Sequence, residues 1–226
     1  MRATKTILSW SSGKDSAWAL HYLRSDPAVE IVALVTTVNE AFDRVAMHGV
    51  RREILQAQAD AAQLPLHVIP LPWPCTNKDY ERLMGNYVRA QVEAGVEAFA
   101  FGDLFLEDIR AYREQKLAGT GLKAIFPLWG RPTRELAREM IGGGLVAHVA
   151  TVDPNKLDAS FVGRVFDLAF LADLPAGVDP CGENGEFHTC VAAGPMFKSA
   201  LAVRSGKAVT RDGFIFADFL LEPSVG

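Results

Sequence analysis

Three stretches of the chain concentrate residue types that do chemistry. The first is Ser11-Ser12-Gly13-Lys14-Asp15-Ser16, between a short apolar run and a segment of helical period. A strand-turn-helix junction leaves helix-terminal amides unsatisfied and pointing outward, and the helix dipole favours an anion there by up to about 2 kcal/mol in good geometry. Gly13 allows close backbone approach, the serine hydroxyls add donors, and Lys14 adds a cation. These are the ingredients of a phosphate cradle. The string is not a Walker A loop, because Leu8 stands where that pattern has its first glycine and Asp15 follows Lys14 where Ser or Thr belongs. The plainer alternative is a polar turn in which Ser12 caps the helix and Asp15 is its capping partner.

The second stretch is Asp179-Pro180-Cys181-Gly182-Glu183-Asn184-Gly185-Glu186-Phe187-His188-Thr189. Three carboxylates, an amide, an imidazole and a hydroxyl lie among glycines. A tight turn at Asn184-Gly185 would aim Glu183, Glu186 and His188 at one point, an arrangement suited to acid-base work, metal binding or recognition of an amine. The alternative is a hairpin turn with solvated acids. Cys181 reads as a buried structural thiol rather than a nucleophile, since no neighbouring pattern lowers its pKa.

The third is Phe101-Gly102-Asp103-Leu104, followed by Asp108, Arg110 and Arg113. Ligands of open α/β sheets bind beyond the carboxyl ends of strands, where Gly102 would admit a base or ribose and Asp103 would accept from a hydroxyl or hold a metal. A Gly-Asp turn before a solvated helix is the competing reading. Thr36, Thr37, Met47 and His48 fall on the same rim, and Arg131 and Arg134 open a later helix, either solvated or forked onto an anion.

The elements that must carry these groups alternate. Apolar β-rich runs at Lys5 to Trp10, Ile31 to Val38, Leu66 to Leu71, Ala98 to Phe101 and Ala124 to Leu128 are separated by segments of helical period beginning near Asp15, Gly49, Asn77 and Leu106. This is the pattern of βαβ units and a parallel sheet covered on both faces. Thr76 and Asp79 have capping-box spacing before the third helix, and Leu55, Ala59 and Ala62 mark the apolar stripe of the second. After Trp129 the rhythm changes: a helix over Pro132 to Ile141, a Gly142-Gly143-Gly144 stop, a buried strand over Leu145 to Val152, a helix over Phe161 to Leu171, and antiparallel strands around an Asp212-Gly213 hairpin turn. Two lobes are expected, 1–130 and 131–226, giving an α/β fold with a smaller α+β lobe.

Composition narrows the function classes. The 226 residues carry 23 Lys+Arg against 27 Asp+Glu, a formal net charge of -4, and 49% are hydrophobic. A dominant nucleic-acid footprint is therefore not expected. With 19 Gly and 12 Pro, disorder is excluded as a main theme. The three cysteines form no Cys-x-x-Cys pair, so neither a disulfide framework nor a structural zinc site is signalled. No run approaches a membrane span and the amino end lacks a signal-peptide pattern, so the expected compartment is the cytoplasm.

The first loop resembles the PP-loop of the ATP pyrophosphatases, written Ser-Gly-Gly-x-Asp-Ser, with Ser12 in place of the first glycine. Together with the Phe-Gly-Asp segment, Phe126-Pro127-Leu128-Trp129 and above all Gly182-Glu183-Asn184-Gly185-Glu186-Phe187-His188-Thr189, it resembles the diphthine-ammonia ligase family of the adenine nucleotide α-hydrolase-like superfamily, over nearly the whole chain. The resemblance implies a Rossmann-like nucleotide-binding lobe followed by a family-specific lobe. It implies ATP and Mg2+ as cofactors, amide formation from a carboxylate and ammonia, and release of AMP and pyrophosphate. Ser11, Ser12, Gly13, Lys14, Asp15 and Ser16 would hold the phosphates, Asp15 the metal, and Thr37, Met47, His48, Gly102 and Asp103 the rest of the nucleotide. Lys14, Asp15, Glu183, Glu186 and His188 would be catalytic, with any of the last three as the base. Arg110, Arg113, Arg131, Asn184, Gly185 and Thr189 would bind the acceptor, elongation factor 2 if the host makes diphthine. Oligomeric state is left open, a homodimer included. Two other readings share the scaffold: a non-catalytic ATP- or AMP-binding module, and an RNA-modifying PP-loop enzyme.

Overall fold

The computed structural model describes residues 2–45 and 49–222; Met47 and His48 lie outside them. Strand β1 (Thr4–Ser9) leads into helix α1 (Lys14–Arg24), β2 (Val29–Asn39), the two-residue β3 (Arg44–Val45), α2 (Arg52–Ala62), β4 (Leu66–Leu71), α3 (Asn77–Glu93), β5 (Ala98–Ala100), α4 (Glu107–Leu117) and β6 (Lys123–Ile125). β4, β2, β1, β5 and β6 lie side by side and parallel, and β3 adds an antiparallel end to β2. The chain runs outward from β1 through β2 to β4, then returns to the other side of β1 for β5 and β6. The strand order thus reverses between β1 and β5, the position where open α/β sheets form a crevice at their carboxyl edge.

Alternation along the strands divides the interior. Ile7, Ala33, Val35 and Phe99 pack with Val88 of α3 and Leu117 of α4 on one face, while Leu8, Leu34 and Ala100 join α1, α2 and the second lobe on the other. α3 begins with the expected box: Thr76 Oγ1 accepts from the Asp79 amide at 3.1 Å and Asp79 Oδ2 from the Thr76 amide at 3.4 Å. α1 buries Ala17, Trp18, Ala19, Leu20 and Leu23 because it is enclosed between β1 and β2 and a strand of the second lobe, β8 (Phe187–Ala193).

The second lobe holds α5 (Thr133–Gly142), β7 (Val146–Val152), a single 3-10 turn at Ala159–Phe161, α6 (Leu168–Asp173), β8 (Phe187–Ala193), β9 (Val203–Arg211) and β10 (Phe214–Leu221). Its four-stranded antiparallel sheet has the order β8-β7-β10-β9, with β9 and β10 joined by the expected Asp212-Gly213 turn. The helix expected over Phe161 to Leu171 is absent. Residues 162–166 instead run along β7, through hydrogen bonds from the Gly163 amide to the Val149 carbonyl and from the Phe166 amide to the Ala147 carbonyl, both 2.8 Å. Asp167 then caps a new helix by accepting from the Phe170 amide at 2.7 Å. Apolar spacing had suggested one helical face, yet Val165 and Leu168 are 42% and 60% exposed while Phe161 and Phe170 are buried.

Charged and polar clasps join the lobes. Arg24 donates to the carbonyls of Met196 (2.7 Å) and Ala62. Asp218 of β10 receives Arg51 at 2.7 and 2.9 Å and Arg44 at 3.0 Å. These bonds, that from Arg51 foremost, hold the Asp218 carboxyl down at about 2. A depressed carboxylate stabilises the fold above its unfolded pKa of about 4 and loses that contribution as pH falls through the folded value. Asp218→Asn should therefore lower the unfolding free energy by about 1 kcal/mol at neutral pH, with the difference from wild type shrinking in acid. Urea titrations at pH 7 and pH 3 measure both gaps, and equal gaps would contradict the clasp.

Candidate active site

The Ser11–Gly13 turn follows β1, and Gly13, not Ser12, occupies the N-cap position of α1, with no side-chain cap. Ser12 has φ +72°, the left-handed region that costs a non-glycine residue about 1–2 kcal/mol. That is the position where the resembled motif has glycine. The strain is held from outside the loop. The Ser12 carbonyl accepts from the Val191 amide of β8 at 3.0 Å and from the Gln58 side chain of α2 at 3.2 Å. Within the loop, Ser11 and Ser16 hydroxyls lie 3.2 Å apart, the Gly13 amide donates to Ser11 Oγ at 3.3 Å, and Ser16 Oγ donates to the Gly13 carbonyl at 3.0 Å. The simple capping turn considered from sequence is not what forms.

Lys14 is buried, its side chain 2% exposed. Nζ donates to Asp15 Oδ2 at 2.8 Å and to the Cys181 carbonyl, between the rings of Phe187 (5.4 Å) and Phe166 (5.7 Å). Burial alone would lower its pKa, but the negative charges of Asp15 and Glu183 overcome this and keep the ammonium. The Lys14 backbone amide donates to Thr189 Oγ1 at 3.0 Å. A loop of the first lobe is thus completed by three parts of the second: the Cys181 turn, Thr189 and Val191.

The Asp179–Thr189 stretch is folded on itself. Asp179 Oδ2 accepts from the amides of Cys181 (3.1 Å) and Glu183 (2.9 Å), while Glu186 Oε1 accepts from the Asp179 amide (2.9 Å) and Asn184 Nδ2 (3.2 Å). Gly182 has φ +71° and a Cβ there would sit 2.7 Å from the Phe187 carbonyl, so only glycine fits. This geometry separates the two glutamates. Glu183 projects to the first lobe, accepting from the Leu104 amide at 2.7 Å. Burial raises its carboxyl to about 7, with the Leu104 bond opposing and the charge of Asp15 adding. His188 is lowered to about 4, chiefly by burial, and is a neutral imidazole at physiological pH. Burial also raises the Cys181 thiol, whose Sγ donates to the Thr133 carbonyl at 3.4 Å. It is an inert packing group.

A cavity of about 710 Å³ opens at the β1/β5 switch point, large enough for a nucleotide. Ser11, Lys14, Asp15 and Ser16 line it from the loop, and Thr36 and Thr37 from β2. Gly102, Asp103 and Arg113 line it from the β5 exit, and Glu183, His188 and Thr189 from the second lobe. Asp103 is held by Arg113 at 2.5 and 3.1 Å, and Arg113 lies over the Phe101 ring at 4.4 Å. Other expected site residues face elsewhere. Arg110 stacks on Trp129 and Phe126 and pairs with Glu114, Arg131 pairs with Glu139 beside Tyr22, and Glu186, Asn184 and Gly185 build the turn. Residues that sequence reasoning did not single out also contribute: Trp10, Tyr80 and Cys75 line the cavity, and Gln58 braces the loop from behind. For Gln58 the only signal is a polar residue within the apolar stripe of α2.

Two domain models cover almost all of this architecture: the diphthamide synthase N-terminal domain matches residues 4–124 and the diphthamide synthase C-terminal domain residues 132–216. The chain belongs to the diphthamide synthase family. It is similar to proteins named diphthine-ammonia ligase: 25% identical to that of Rattus norvegicus (92% of this chain, 85% of the relative), 26% to that of Danio rerio (92% and 89%), and 24% to that of Schizosaccharomyces pombe, of which it covers 36%. Among the described residues no three His, Cys, Asp or Glu side chains form a metal cage. Asp15 Oδ1, by contrast, is buried and without a hydrogen-bond partner among the described residues. One carboxylate completed by ligand oxygens is the arrangement that suits Mg2+.

Gly102 earns its place by packing. A Cβ there would stand 2.9 Å from the Asp15 carbonyl carbon and the Ser16 amide, so β5 and the first turn of α1 meet backbone to backbone. The close neighbour is therefore the helix rather than a base or ribose. Gly102→Ala should cost about 1–3 kcal/mol through overpacking and weaken any phosphate ligand about tenfold by displacing that turn. Thermal unfolding and calorimetry with a non-hydrolysable ATP analogue test this; unchanged values for both would refute the contact.

Proposed function

We propose that the protein is an ATP-dependent amide-forming ligase of the diphthine-ammonia ligase kind, with 1–130 as the nucleotide-binding lobe and 131–226 as the substrate lobe. The observation that carries this reading is the meeting, in one cavity at the switch point, of the Lys14–Asp15 loop with Glu183 from the other lobe. A free carboxylate is a poor acyl donor. Attack on the α phosphate makes an acyl-adenylate and expels pyrophosphate, whose developing charge needs donors already in place. The Ser11 hydroxyl, which lines the cavity, is such a donor, the amino end of the α1 dipole favours the anion, and the Lys14 ammonium adds a fixed positive charge beneath them. Mg2+, held by the spare Asp15 oxygen with phosphate oxygens, would neutralise charge on the leaving group.

Ammonia arrives mainly as ammonium and must lose a proton to attack. Of the three candidate bases, Glu183 faces the cavity and titrates near neutrality, where a general base is most effective. His188 faces it too, but burial makes it too weak a base, and Glu186 is committed to the Asp179 amide. Glu183 accordingly takes the proton, while neutral His188 offers a polar wall. The acceptor is a carboxylate presented on a protein, and Asp103 with Arg113 frames its approach. The nucleotide-sensing and RNA-modifying readings share the loop but give no role to an ionisable Glu183 facing it.

Incubation with Mg-ATP, ammonium and an extract of the host should yield AMP and pyrophosphate, detectable by mass spectrometry, and Asp15→Asn should abolish both at a temperature where circular dichroism shows it folded, while lowering its thermal stability because the buried Lys14 ammonium loses its counter-charge. Intact ATP in the wild-type reaction would favour the sensing module. The rate should rise with pH through about 7 as Glu183 ionises. Glu183→Gln should remove that inflection and lower turnover by about 100-fold or more; an inflection that survives would place the base elsewhere.

A further inference from the structure

We propose that Gln58 is a positioning residue for the phosphate loop: through the Ser12 carbonyl it sets the orientation of the Ser12–Gly13 peptide. Gln58 lies on α2, outside both motifs, and is fully buried among the apolar side chains of Ile54, Leu55 and Ala59. An amide there is costly unless its polar atoms are matched. They are matched only by groups that shape the site. Oε1 accepts from the Trp10 indole at 2.9 Å, and Nε2 donates to the carbonyls of Val191 at 2.7 Å and Ser12 at 3.2 Å. One side chain thus joins the end of β1, the loop and β8.

The consequence for the loop follows from peptide planarity. In a trans peptide the carbonyl of Ser12 and the amide of Gly13 point in opposite directions. Drawing the carbonyl back toward Gln58 and β8 therefore turns the Gly13 amide to the other side, where it meets Ser11 Oγ on the wall of the cavity. The same pull keeps Ser12 at φ +72°, a conformation an L-residue leaves when released. Ser12 has no local compensation, since its buried hydroxyl has no hydrogen-bond partner among the described residues. Where the resembled motif uses glycine to adopt this conformation freely, this chain uses serine and an external brace.

The inference rests on the ATP-binding part of the proposed function and is read by binding alone. Gln58→Met keeps the side-chain shape and removes its hydrogen bonds. In calorimetry with a non-hydrolysable ATP analogue, at a temperature where circular dichroism shows the variant folded, affinity should fall about tenfold. Adding Ser12→Gly should recover most of that loss, because glycine holds the left-handed conformation unaided. Undiminished affinity in Gln58→Met would overturn the proposal. So would a loss that Ser12→Gly leaves untouched, since plain packing damage predicts that result. If Gln58→Met does not fold, Gln58→Glu decides. Its carboxylate would face the Ser12 and Val191 carbonyls, so analogue affinity should decline from pH 5 to pH 8 more steeply than in the wild type, and a parallel profile would overturn the assignment. Failure of the wild type itself to bind the analogue would sink the proposed function instead, a distinct outcome.

Discussion

The constraint on which the structure turns is the burial of a charged lysine at the seam between its lobes. Taking an ammonium out of water costs several kcal/mol even after relaxation, and is tolerable only with a counter-charge and full hydrogen bonding. Lys14 obtains the first from Asp15 beside it and the second from a carbonyl 167 residues away in sequence, at Cys181. The rings of Phe166 and Phe187 complete the enclosure. The first lobe supplies only Asp15; the carbonyl and both rings come from the second. The family-specific lobe is therefore as much part of the loop as the residues that spell its motif.

Much of the first lobe is legible in the sequence. Its strands are apolar on successive positions because helices or the second lobe cover both faces, and that pattern reads plainly. The Thr76–Asp79 box fixes the start of α3 by a local exchange of hydrogen bonds, which needs only four residues to recognise. The second lobe was harder. Between Phe161 and Leu171 the apolar spacing imitates a helix, but hydrogen bonds to β7 hold residues 162–166 extended until Asp167 starts a helix of its own. Those partners are distant in sequence, so no local pattern reveals them. The two-residue β3 was missed because nothing in its composition distinguishes it from a loop.

At the site, residue types disclosed the participants but not their directions. Glu183 and Glu186 are chemically identical and three residues apart. What separates them is a turn whose glycines adopt left-handed angles and whose amides are gathered by Asp179 and Glu186. One glutamate is spent on architecture so that the other can face the cavity. Arg110 and Arg131 show the same limit, since an arginine near the start of a helix reads equally as an anion fork or as a cation stacked on aromatic rings, and here stacking and ion pairing prevail. Gln58 illustrates a third kind of invisibility. A glutamine on a helix looks like a surface residue until the helix is docked.

The strand order of the second sheet has a consequence for the chain as it leaves the ribosome. β7 lies between β8 and β10, and β10, at residues Phe214–Leu221, belongs to the last part of the chain described. A nascent polypeptide presents the phosphate loop well before Thr189 and Val191, which shape it, have been synthesised. Domains generally fold as units during synthesis, the amino-terminal one first. Here the first lobe cannot complete its loop on its own, because its lysine waits for the Cys181 carbonyl of the second. A chain cut short before Cys181 would therefore carry the motif without its shaped anion site.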